Sequence, residues 1–146
     1  MSGILVGVDG SGHSQRALEW AAKEAALRNT SLTVLTVHQT VAGFWGGPLH
    51  YQGDNTLVQK AAEAAKAATE QVVASIGDSK PASVHVTAVE GFPAEEILNA
   101  GADADIIVLG SRGGGGFARM LLGSVSSQVA EHADVPVLIM PSHKGD

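Results

Sequence analysis

The sequence predicts an open α/β fold: a single doubly wound five-stranded parallel sheet in the order 3-2-1-4-5, with helices on both faces. Two observations carry this prediction. First, short apolar runs alternate with helix-spaced segments along the whole chain of 146 residues, and repeated strand–helix alternation calls for a parallel sheet covered on both faces. Second, the runs at 4–8 and 105–109 are solidly apolar, as central strands are, whereas 84–90 alternates in polarity, as an edge strand does. With right-handed crossovers, the order 3-2-1-4-5 satisfies both demands. The length fits one domain, residues 1–146, with room for a real core.

The first strand, Ile4 to Val8, ends at Asp9-Gly10-Ser11-Gly12. Ser14 then reads as a helix cap, and Ala17, Leu18, Ala21, Ala22 and Ala25 recur at helical spacing until Asn29-Thr30 breaks the pattern. Residues 32–37, rich in Val and Thr, form the second strand. Residues 40–53 have no clear period and hold several glycines with Phe44, Trp45 and Tyr51. They read equally as a functional lid or as an irregular connection. Asn55 caps a long helix reaching about Ile76, whose Ala-rich face includes Leu57, Ala61, Ala65, Ala68 and Val72. Gly77 stops it. Val84, Val86 and Ala88 alternate with His85 and Thr87 in the third strand, and Gly91-Phe92-Pro93 turns into a short helix through Ala100. The fourth strand is followed by a helix over 124–132, and Val137-Leu138-Ile139-Met140 closes the sheet.

In this order the direction of growth reverses between strands one and four. Ligands of open α/β sheets bind at such a reversal, beyond the carboxyl ends of the strands. Asp9 and Gly110 both fall there. The last strand is apolar throughout yet belongs at an edge, which suggests either a homodimer through 137–140 or a strand covered by its own loops.

Composition narrows the function. The chain has no cysteine, which excludes disulfides, thiolate metal sites and cysteine nucleophiles. A net charge of -6 and an aromatic content of 4% argue against nucleic-acid partners. No apolar run has the length of a membrane span and no leader pattern opens the chain, so a soluble, cytoplasmic protein is expected, with no membrane partner. The six histidines are scattered without metal-ligand spacing.

The chemistry concentrates in Gly110 to Ser127, GSRGGGGFARMLLGSVSS, directly after an apolar strand. Glycines let backbone approach an anion, and N–H groups at a helix start point toward it, so a nucleotide phosphate is the leading ligand. The Walker pattern is absent, since no Lys precedes the Ser of a glycine-rich loop. A dinucleotide match at Gly113, Gly115 and Ala118 arises from four consecutive glycines, and its acid, Glu131, sits within a helix.

A third pattern is specific: Gly110-x-x-Gly113, nine residues, then Gly123-Ser124. With Val6-Gly7-Val8-Asp9-Gly10-Ser11, Gly91-Phe92-Pro93 before Ile97-Leu98, the segment from Asp105 to Gly113, and Pro136-Val137-Leu138, it resembles the ATP-motif branch of the universal stress protein family over almost the whole chain. The resemblance implies a nucleotide-binding stress-response or signalling protein rather than one built for turnover. Asp9 would accept hydrogen bonds from the ribose hydroxyls, or else only brace the turn into the first helix. Val37 would offer backbone groups to the adenine edge. Gly110 and Gly113 would frame ribose and phosphates. Gly123 and Ser124 would bind phosphate, with Val125 and Ser126 next along the helix. Arg112 and Arg119 are the loop's only cations, so either could offset phosphate charge. ATP is the implied ligand, with Mg²⁺ between its phosphates and Asp9; AMP and cyclic AMP share the same adenine and ribose. A slow ATPase or phosphotransferase and a nucleotide-independent dimeric scaffold are the alternatives, and the residues offer no catalytic base.

Overall fold

A computed structural model describes residues 3–10, 12–39, 54–111 and 123–141. Its elements run β1 (Ile4–Val8), α1 (Gly12–Arg28), β2 (Ser31–Gln39), α2 (Asp54–Ser75), β3 (Ser83–Gly91), α3 (Pro93–Ala100), β4 (Ile106–Gly110), α4 (Ser124–His132) and β5 (Val137–Met140). The strands form one five-stranded sheet, order β3-β2-β1-β4-β5. All four pairings are parallel. The predicted topology and both edges are those observed.

The period-two alternation of β1 divides the core. Ile4 and Val6 join Val34, Val108 and the buried face of α1 on one side. Leu5 joins Leu35, Leu109, Ile97 and Val129 on the other, under α3 and α4. On α1 the contact stripe is Ala17, Ala21, Ala22 and Ala25, each at 0% exposure, with Leu18 beside them. Small side chains at a packing surface let the helix axis lie close to its neighbours.

Local chemistry sets the ends. Asn29 takes a left-handed conformation (φ 54). Its N–H donates to the Ala26 carbonyl at 3.2 Å, and the Thr30 N–H donates to that of Ala25 at 3.0 Å. That pair is a Schellman motif with asparagine in the place glycine usually takes. Gly77, beyond α2, has φ 89, as its role as a helix stop requires. At α3, Pro93 occupies the first turn, where its missing N–H costs nothing. Ser14 is not the cap of α1: the helix begins two residues earlier, at Gly12.

The apolar β5 has a physical explanation. All four of its residues are half-buried. Leu138 and Met140 pack toward α1, and Val137 packs with the α3/α4 side. Both faces of this edge strand are therefore covered, which is why it does not alternate. No helix among the described residues is long and apolar enough to cross a membrane.

Candidate functional site

The two central strands pair with each other only along their lower halves. The β1–β4 ladder runs from Ile4↔Ile106 to Val6↔Val108. Above that, β1 continues against β2 to Val8↔Thr36, and β4 continues against β5 to Gly110↔Met140. The upper ends of β1 and β4 are thus each held by an outer neighbour, at the switch point where ligands of open α/β sheets bind. Asp9 follows one lip and Gly110 ends the other.

On the first lip, Asp9 is exposed. Its backbone N–H donates to Ser14 Oγ at 3.2 Å. Ser14 is buried, so the serine reaches back from the first turn of α1 and fixes the loop that presents the carboxylate. Gly10 has φ 84, a conformation that a side chain would strain. Beside Asp9, on the α1/α2 side of the sheet, lies a cleft of about 480 Å³, counting space open to solvent, lined in part by Ser14, Gln15, Thr36, Ala61 and Ala65.

Val37 lies one residue beyond the last β1 partner of β2, level with Asp9. Toward β3 the ladder continues to Gln39↔Gly91. The Val37 side chain is half-buried against the α3/α4 core. The strand extends two residues further than the predicted 37, so Val37 is not its last residue.

On the second lip, the two ends of the glycine-rich segment meet. The Ser111 carbonyl accepts a hydrogen bond from the Gly123 N–H. Ser126 Oγ lies 3.3 Å from the same carbonyl and 3.2 Å from that of Gly123. The Ser111 N–H in turn donates to the Met140 carbonyl at 2.9 Å. Gly123 is the N-cap of α4 and supplies no side-chain cap. The first-turn N–H groups of Ser124, Val125 and Ser126 have no partner four residues back within the helix, and they face the helix N-terminal pole. The Gly123 N–H is engaged by Ser111, and the Ser126 hydroxyl is turned into the fold at 3% exposure. Ser124 is exposed, and Val125 packs against the core.

A family model described as the universal stress protein family matches residues 1–141. This chain belongs to the universal stress protein family. A relative of that name from Mycobacterium tuberculosis is 36% identical over 146 residues, covering 96% of this chain and 48% of its own length. The chain spans about half the length of the curated relatives it matches. Among solved structures, the universal stress protein UspA from Lactobacillus plantarum is 27% identical, with TM-score 0.78 over 95% of this chain and 97% of that one. A universal stress protein in complex with cAMP is 25% identical, with TM-score 0.66 over 95% of this chain and 94% of that one.

In this universal stress protein, Asp9, Gly110, Gly123 and Ser124 lie together at the carboxyl end of the sheet, and Val37 stands one strand away. Arg112, Gly113 and Arg119 lie outside the described residues, as does the segment 40–53. Sequence reasoning missed Ser111, whose contribution is a backbone carbonyl and carries no residue signature. It also missed the alanine-lined cleft, because helix-spaced alanines read simply as core. Among the described residues, no three His, Cys, Asp or Glu side chains gather as a metal site.

Proposed function

We propose that this chain binds an adenine nucleotide, ATP in the first instance, and acts as a nucleotide-dependent stress-response or signalling module. The observation that carries the reading is the parting of β1 and β4 above Val6 and Val108, with Asp9 on one lip and a helix start on the other. The related structure bound to cAMP supports an adenine and a ribose in this crevice. Asp9 takes the ribose hydroxyls, since an ionised carboxylate only accepts and a diol donates. Backbone groups at Val37 meet the adenine edge. Gly110 and Gly113 let the chain approach ribose and phosphate closely. The N–H groups of Ser124, Val125 and Ser126, with the Ser124 hydroxyl, receive the phosphates; Arg112 offsets their charge. Mg²⁺ arrives with the triphosphate and shares Asp9. AMP and cyclic AMP satisfy the same adenine and ribose contacts.

Titration of the purified protein with ATP tests this. Saturable, magnesium-sensitive binding is expected, and Gly113→Val weakens it at least about tenfold by denying the close backbone approach. Indifference to that substitution would sink the reading. A homodimer through β5 completes the proposal: Ile139→Lys places a charge on that edge and yields monomers by sedimentation, whereas an unchanged dimer would place the interface elsewhere.

A further inference from the structure

The Ser126 hydroxyl does something other than touch the ligand. The residue is 3% exposed, so its hydroxyl faces protein rather than open solvent. Its oxygen instead lies 3.3 Å from the carbonyl of Ser111 and 3.2 Å from that of Gly123. Those two residues bound the segment 112–122. Ser111 is itself buried at 4% exposure and hangs from the sheet through its N–H bond to Met140. The Gly123 N–H closes the same junction by donating to Ser111. One hydroxyl proton, shared between two carbonyls, thus reinforces the contact that holds the start of α4 against the end of β4.

We propose that Ser126 is a positioning residue: it clasps the base of the glycine-rich segment so that the amide groups at the start of α4 stand ready for a phosphate before any ligand arrives. The proposal rests on the nucleotide reading above. Holding loop ends together removes an ordering cost that binding would otherwise bear. The benefit falls on the phosphate end of a ligand and not on its base or sugar, which do not rest on the amide groups of α4.

The test compares ATP with adenosine on the full chain carrying Ser126→Ala and Ser126→Thr, and follows amide exchange at Gly123 without ligand. Ser126→Ala should weaken ATP about threefold to tenfold, the scale of one hydrogen bond, and leave adenosine unchanged. Ser126→Thr should restore ATP binding, because a helical threonine hydroxyl bonds the carbonyl three residues back. In the ligand-free alanine variant, Gly123 exchange should rise about tenfold or more. Unchanged ATP affinity, or equal losses for ATP and adenosine, would overturn the positioning role. Weakened ATP with undisturbed Gly123 exchange would overturn it in favour of direct contact. Failure of the unsubstituted protein to bind ATP would overturn the nucleotide reading and the proposal together, and is told apart from the other outcomes by that control.

Discussion

The lip that carries Asp9 and the lip that carries Gly110 face one crevice, yet different forces hold them. On the first, β1 passes almost directly into α1, and the turn is braced by packing: Leu18 and the alanine stripe lie fully buried on the sheet. On the second, residues 111–123 separate β4 from α4 in sequence, and hydrogen bonds among Ser111, Gly123, Ser126 and Met140 hold the two ends together. Apolar packing is non-directional and strong in sum. Hydrogen bonds contribute less each but fix direction. The first lip therefore holds a carboxylate on a firm base, and the second aims a row of donors.

That contrast breaks most visibly at Leu18. Leu18→Ala removes a side chain at 1% exposure from the core behind the first lip. It should cost about 2–5 kcal/mol in urea denaturation, the range for leucine truncation in cores. A loss under about 1 kcal/mol would mean that packing is not what braces this side. Ser14→Ala sharpens the comparison, since it deletes a polar brace on the packed lip, the acceptor for the Asp9 N–H. A stability loss of about 0.5–1.5 kcal/mol is expected, well below that of Leu18→Ala. Equal losses would erase the distinction. Arg28→Ala gives the lower bound. It breaks an exposed pair in which Arg28 Nε donates to Glu24 Oε2 at 2.7 Å, far along α1 from either lip. About 0.2–0.5 kcal/mol is expected, shrinking as salt is raised.

The sequence carried the sheet order because alternation and apolar runs are properties of single segments. It carried the helix stops at Asn29 and Gly77 because left-handed backbone selects few residue types. It also brought Asp9, Gly110, Gly123 and Ser124 to one end of the sheet, because topology alone decides that. The rest depended on relations between segments. Where the β1–β4 ladder stops is a matter of register between strands about a hundred residues apart, and no local pattern encodes it. The inward turn of Ser126 depends on a carbonyl whose acceptor strength is the same in every residue. Ser14 has the position of a cap, yet the Asp9 N–H that donates to its Oγ lies before the helix.

The alanines of α1 have one further consequence. Ala17, Ala21, Ala22 and Ala25 carry methyl groups with no rotatable torsion that could shift a heavy atom. A layer boundary made this way has no slack: helix and strand approach until backbone and methyl touch, and go no nearer. Asp9 sits at the corner where those two layers join. The backbone that leads to it is set like a mark on a ruler by the thickness of a methyl group, with Ser14 Oγ holding the Asp9 N–H.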